Sequence, residues 1–312
     1  MTRGPAWALL VVATALSVAG CRPDAVPAEG VPVVDAGWVM IPPTEMRQSG
    51  TLAHPRLAEA SGAAVTTQRP GALWTLNDSG NAPDLYLIDT SGALLTSFPL
   101  LGATNTDWEE VALGTCPAGR CLYIADTGDN AERRSEVLIH RVAEPDITVT
   151  LPSALPGQQP QTLRVRYPDG PHDVEAMAVT RAGEVLLVSK GRSGGVLLFR
   201  LPPSAWSLGS AIAERIDSLP IVANSGIGRL VTGMALSPDG TRLMVRTYRD
   251  LYPFAVNADL TLRPLGRPTA CDILGREPQG EAIDWLDDQR LVLTSERGLM
   301  KAGTVFLVRC SV

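Results

Sequence analysis

Short apolar runs alternate with polar turns along this chain. The clearest unit of the pattern is Glu109 to Asn130, EEVALGTCPAGRCLYIADTGDN. It opens on carboxylates, runs through an apolar strand, turns, and climbs a second strand into a polar cluster. Related stretches begin at Ser61, Glu175, Thr232 and Glu281, so the five copies start 48, 66, 57 and 49 residues apart. Repeated hairpins at roughly this period predict a propeller of four-stranded blades. Further strands follow each hairpin, for example at 85–89 and 94–100 after the first, or at 252–256 and 260–265 after the fourth. The expectation is therefore an all-β fold, a single β-propeller over 38–312 with five blades, and with helices short or absent. Six blades are the alternative, the sixth drawn from 143–171 or 202–230. The last hairpin lacks a fourth strand before the chain ends at Val312, and Trp38–Ile41 at the other end of the domain is placed to supply it.

The region before this domain is different. Arg3 precedes an apolar run, 6–19, which ends in Val18-Ala19-Gly20-Cys21. That run is too short to span a bilayer and reads as a secretion signal, 1–20. Small residues ahead of the cysteine resemble the lipobox of bacterial lipoproteins, which implies cleavage before Cys21 and its lipidation. Residues 21–37 then form a Pro- and Ala-rich tether. Arg22 in place of an aspartate favours outer-membrane sorting in a Gram-negative host. The membrane partner is thus expected to be reached through the lipid.

Cysteine and charge narrow the classes further. Without Cys21, four of the five cysteines remain. In an exported chain they predict Cys116–Cys121, across the PAGR turn, and Cys271–Cys310, tying the terminus to its own blade. A formal net charge of -6 and only three histidines argue against nucleic-acid binding. A monomer, with an unidentified small molecule or envelope protein as partner, is the expectation.

Candidate chemistry follows from hairpin geometry. If the first strand of each repeat is innermost, Ser61, Glu109, Glu175, Thr232 and Glu281 ring the channel mouth, and the exits of the second strands gather beside them. The candidate metal or ligand ring is Glu109, Glu175, Glu281, Asp78, Asp126, Asp129 and Asn130, with Lys190, Arg246 and Arg249 as candidate anion-binding groups. Crowded carboxylates must share protons, pair with cations or hold a metal. Oxygen-only donors suit Ca²⁺ and disfavour zinc. The competing reading has the acids bonding backbone amides and guanidiniums to hold the channel together.

LWTLNDSGN (73–81), DWEEVAL (107–113), YIADTGDN (123–130), VEAMAV (174–179), VTGMALSPDGTRLMVRTY (231–248) and QGEAIDW (279–285) resemble a group of exported bacterial β-propeller lipoproteins with no established reaction. Through Glu109, Glu175 and Glu281 the chain is more distantly similar to calcium-dependent phytase-like and esterase-like propellers. The resulting expectation is a lipid-anchored module that binds a ligand or protein at its mouth. The alternatives are a calcium-dependent phosphomonoesterase or related hydrolase, and a structural envelope protein.

Overall fold

The computed structural model describes Met1, 37–298 and 301–311. The expected signal peptide (1–20) and Cys21 with its tether (21–37) lie outside the described residues, apart from Met1 and Gly37.

Five antiparallel blades follow one another. The first is Ala60–Val65, Ala72–Asn77, Asp84–Asp89 and Leu94–Pro99, from the innermost strand outward. The second is Trp108–Cys116, Gly119–Asp126, Val137–Ala143 and Gln161–Arg166. The third is Val174–Val179, Val185–Ser189, Val196–Leu201 and Glu214–Leu219. The fourth begins Val231–Leu236, Arg242–Thr247 and Asp250–Val256 and continues with Thr269–Asp272. The fifth is Gln279–Trp285, Leu291–Glu296, Gly303–Arg309 and, from the N-terminal side, Glu45–Leu52. Each innermost strand contacts the next and the fifth contacts the first, so the ring closes. Among the described residues the only helical turns are Ala205–Leu208 and the 3₁₀ turn Ser225–Ile227.

Blade stacking explains the continuous apolar runs. Strands buried on both faces send alternate residues to opposite sides. Leu186 and Val188 pack toward the fourth blade, whereas Val185 and Leu187 pack toward the second. Five apolar clusters result, one in each seam. Trp74 and Trp108 are fully buried in the seam between the first two blades.

An N-terminal strand does close the last blade, but it is Glu45–Leu52, paired antiparallel with Gly303–Arg309. The strand expected there, Val39–Ile41, instead runs parallel to Thr269–Asp272 at the outer edge of the fourth blade. Trp38 explains the choice. Its ring meets Tyr252 and Phe254 edge-on at 5.1 and 5.4 Å, and its Nε1 donates to the Pro220 carbonyl at 2.7 Å. The fourth blade's expected outer strand also moves: Leu262–Pro264 pairs only with the end of Asp250–Val256, and Thr269–Asp272 pairs with its start. Ser210–Ile212 leaves the third blade to run parallel with the outer strand of the second.

Both disulfides form. Cys116–Cys121 closes a hairpin turn, with Cα atoms 5.8 Å apart. Cys271–Cys310 (6.2 Å) joins the fourth blade to the fifth rather than the terminus to its own blade, because Cys271 lies in the strand Thr269–Asp272.

Candidate functional site

Every innermost strand slips register once near its start: between Ser61 and Ala64, Trp108 and Glu110, Val174 and Ala176, Val231 and Gly233, and Gly280 and Ala282. A bulge adds one residue and re-aims its side chain. In four blades that residue is Glu109, Glu175, Thr232 or Glu281, and the equivalent position in the first is Ser61. All five are at most 5% exposed.

Two further positions in each repeat surround this ring. Two residues before it stand Glu59, Asp107, Asp173, Leu230 and Gln279. Where the second strand exits stand Asp78, Thr127, Lys190, Tyr248 and Glu296. Backbone bonds join the two sets, from Asp78 to Glu59 (2.9 Å), Lys190 to Asp173 (2.8 Å) and Tyr248 to Leu230 (3.3 Å). The mouth is therefore built from three equivalent positions in each of five blades. Its composition is uneven: the first, second, third and fifth blades supply acids, and the fourth supplies Leu230, Thr232 and Tyr248.

Three groups of side chains occupy the mouth. Asp78, Asp107 and Glu109 each bring a carboxylate oxygen within 4.8 Å of the others. Asp107 and Glu109 have no hydrogen-bond partner for their carboxylates among the described residues, and Asp78 accepts from Ser79 alone, from its amide and its hydroxyl. Gly128 backs this cluster; a Cβ there would collide with Glu109 Oε1 and the Asp107 carboxylate. Next to it, Lys190 Nζ lies 2.5 Å from Glu175 Oε1 and 4.0 Å from Asp173 Oδ2. In the fifth blade, Gln279 Nε2 donates to both Glu281 Oε1 (2.9 Å) and Glu296 Oε2 (2.7 Å).

Burial and mutual repulsion raise these acids. Glu109 is pushed well above its ordinary value by burial, then by Glu175 and Asp78. Asp78 is raised by burial, and Asp107 is raised to about 6 by burial and by Asp78 and Asp173. Burial takes Glu175 to about 8 despite Lys190, Glu281 to about 8 with help from Glu296, and Glu296 to about 8 with help from Asp78. Burial disfavours the Lys190 charge, yet Glu175 and the other carboxylates hold its pKa above the usual lysine value. The Tyr248 phenol is raised by burial and by Glu281. Tyr248 Oη has no hydrogen-bond partner among the described residues.

Below the ring the channel is filled by two more acids. Glu110 crosses from the second blade, its Oε1 accepting from the Ala63 amide at 3.0 Å and from Val111 at 3.1 Å, while its Oε2 faces Gly233 of the fourth blade with no hydrogen-bond partner among the described residues. Its equivalents in the other blades are Gly62, Ala176, Gly233 and Ala282, which leave room for it. One level deeper, Asp284 accepts from Val65 (2.6 Å) and Trp285 (2.8 Å), where the other blades have alanines 64, 112, 178 and 235. These two acids do the backbone-bonding work anticipated for channel carboxylates, one layer below the mouth ring.

The remaining candidates lie around the mouth. Asp126 pairs with Arg134 at 2.9 Å, and Asp129 accepts from the Arg133 and Arg134 amides at 2.5 and 2.6 Å. Asn130 Oδ1 accepts from Arg192 at 2.5 Å. These residues shape the loop that carries Gly128. Arg246 is fully buried, paired with Glu277 at 2.5 Å and donating to the Ala282 and Thr294 carbonyls. Arg249 is paired with Asp272 (3.2 Å) and Asp250 (3.6 Å). The cations proposed for anion binding are thus all engaged by acids. Asp107, Asp173, Gln279, Glu296 and Tyr248 complete the mouth and were not named as site residues from sequence. The signal that finds them is equivalence across the repeats, two residues before each bulge and at each hairpin exit.

No family model and no curated protein matches the sequence. Similar solved structures include a PQQ-bound aldose sugar dehydrogenase from Streptomyces coelicolor, with 12% identity and a TM-score of 0.50, covering 86% of this chain and 100% of that one. A gluconolactonase from Xanthomonas campestris has 15% identity and a TM-score of 0.44, covering 86% and 98%. A glucose dehydrogenase has 13% identity and a TM-score of 0.47, covering 86% and 100%. Likeness at such identities is one of fold, and it is coarser than the phytase-like or esterase-like kinship expected from sequence. The chain is a five-bladed β-propeller, distantly similar in fold to propeller enzymes.

Proposed function

We propose that this chain is a calcium-dependent hydrolase acting at the acidic mouth on an uncharged, oxygen-rich substrate such as an ester or lactone. The observation that carries this reading is the Asp78, Asp107 and Glu109 cluster, in which the buried Glu109 carboxylate has no hydrogen-bond partner among the described residues. The three oxygens lie within 4.8 Å of one another, close enough for one cation with Ca–O distances of ~2.4 Å to reach them all. The donors are all oxygen, and the glycine cradle keeps a carbon out of the space beside them. When bound, the cation supplies Lewis-acid polarisation and a more acidic water.

The protein's own groups handle protons and orientation. Glu281 and Glu296, both raised to about 8, suit taking a proton from water and returning it to a leaving alcohol near neutral pH. Gln279 fixes the two carboxyls relative to each other. Tyr248, whose hydroxyl has no partner among the described residues, donates it to a substrate oxygen, and Lys190 holds Glu175 and Asp173. A phosphomonoester is the poorer fit, because Lys190, Arg246 and Arg249 are all committed to acids, and none of the three is free for a dianion. Lipid anchoring through Cys21, with outer-membrane placement in a Gram-negative host, remains part of the proposal.

Calorimetry with Ca²⁺ followed by assays on p-nitrophenyl acetate, a γ-lactone and p-nitrophenyl phosphate tests it. Calcium-dependent turnover of the neutral substrates, lost in Glu109→Gln, is expected. Calcium binding without turnover would favour the ligand-binding module, and no calcium binding would remove the mechanism.

A further inference from the structure

The geometry points to a second ligand site at the opposite end of the propeller, in the seam between the fourth and fifth blades, suited to a small organic carboxylate with an aromatic or branched aliphatic body. A cavity of about 260 Å³ opens there, with Leu243, Met244, Pro253, Leu265, Trp285 and Leu291 as its apolar wall. Trp285 and Glu281 stand four residues apart on one strand, so this cavity lies about 13 Å from the mouth ring.

Charge identifies the occupant. Arg242 lies over the Trp285 ring at 4.7 Å and donates one bond, to the Asp288 carbonyl at 2.9 Å. Its remaining donors make no hydrogen bond among the described residues, and Asp239 is its nearest-acting acid. Arg309, exposed at the rim, has no side-chain partner among them either. In a chain of formal net charge -6, two guanidiniums beside an apolar hollow form a local reversal of sign. Asp288 also lines the cavity, so its lining residues carry one net positive charge, and Asp239 beside Arg242 and Glu45 opposite Arg309 weigh further against a dianion. The carboxylate would meet the guanidinium forks in charge-assisted bonds while the body fills the wall. A volume just below the ~300 Å³ of drug-sized pockets limits the body to about one ring.

The Cys271–Cys310 disulfide holds the site's frame. It joins the two blades that form the seam, and Cys310 is part of the cavity wall. Trp285 is fixed independently, its Nε1 donating to the Ala235 carbonyl at 3.1 Å. The apolar platform is therefore rigid before any ligand arrives, and binding need not order it.

Calorimetry of the full chain in EDTA, with benzoate and phenylacetate against benzyl alcohol, provides the test. We expect saturable binding of the acids in the submillimolar range and about tenfold weaker binding in Arg309→Gln, an exposed substitution that leaves the fold intact. Leu265→Trp, which fills the cavity and spares both guanidiniums, should abolish it. Glu109→Gln should bind benzoate as the parent does, so failure here is separable from failure of the hydrolase reading. No binding by about 10 mM, equal binding of benzyl alcohol, or an unchanged affinity in Arg309→Gln would each overturn the proposal.

Discussion

Removing divalent cations and raising the pH from 5.5 to 7.5 should destabilise this protein. Glu175, Glu281 and Glu296 have folded pKa values of about 8 against an ordinary 4.5, and Asp107 about 6 against 3.8. A group raised on folding holds a proton that the unfolded chain has already released. Its stabilisation is complete below the unfolded value and is lost as pH rises through the folded one. Each such proton contributes a slope of about 1.4 kcal/mol per pH unit. Three acting independently would give about 4 kcal/mol per unit, but repelling neighbours titrate one after another. One to two protons, or about 1.4–3 kcal/mol per unit, is the expected range. At roughly 2 °C per kcal/mol for a chain of this size, Tm should fall about 3–6 °C per pH unit. Calcium competes with the protons on Asp78, Asp107 and Glu109, which burial also raises, so its affinity should rise over the same interval and its stabilisation should be largest at pH 7.5. Differential scanning calorimetry in EDTA and in Ca²⁺ measures both. A Tm that stays level or rises between pH 5.5 and 7.5 in EDTA would refute the reasoning, as would an unchanged slope in a Glu175→Gln/Glu281→Gln/Glu296→Gln variant.

Other consequences can be checked separately. Gly128→Ala should cut Ca²⁺ affinity about 10–100-fold, because its methyl group would displace Glu109 and Asp107; unaltered calorimetric affinity would show that the glycine does not cradle the cluster. Arg246→Met should cost about 3–5 kcal/mol by leaving Glu277 buried without its partner, and Arg246→Met/Glu277→Gln should recover part of that loss in urea unfolding. Cys271→Ser/Cys310→Ser should lower stability by about 2–4 kcal/mol, the range for removal of a disulfide that closes a loop of this order. Truncation through residue 52 should expose the Gly303–Arg309 edge and produce concentration-dependent aggregation in light scattering.

The fold was legible because blade strands are buried on both faces and their turns recur. Runs such as Val185–Ser189 announce themselves without any partner being known. The N-terminal closure was harder. Trp38–Ile41 and Glu45–Leu52 are both edge segments whose patterns specify no single neighbour. Trp38 chooses the fourth blade through edge-on contacts with Tyr252 and Phe254, and its indole bond to Pro220, 182 residues away in sequence, ties it to the end of the third. Glu45–Leu52 is polar along most of its outer face, so its alternation did not stand out beside the apolar inner strands. Cys271 was assigned to the wrong blade for a related reason. The strand Thr269–Asp272 is short and follows a turn-rich stretch, and its partner is the start of Asp250–Val256 rather than the following hairpin.

The mouth shows a different limit. Acids at the bulge position were readable because they open each repeat, but the residues beside them required alignment of the blades at three positions at once. That alignment separates two kinds of carboxylate that sequence treats alike. Glu110 and Asp284 stand opposite small residues in the other blades and bond to backbone amides, so they close the channel and knit the blades. Glu109, one residue earlier, has no such bond. Adjacent glutamates in the same strand thereby differ in bonding, Glu110 tied to backbone amides and Glu109 aimed at the mouth, divided by a one-residue bulge. The fourth blade then breaks the acidic symmetry with Leu230, Thr232 and Tyr248, and this gives the site a direction. A neutral substrate lying on that side would place its polar atoms toward the carboxylates without bringing a second negative charge among them. Tyr248→Phe should therefore weaken turnover of neutral esters while leaving calcium affinity intact. Equal loss of metal and substrate binding in that variant would instead make Tyr248 a support for the carboxylate ring, and the proposed orientation of the substrate would fall.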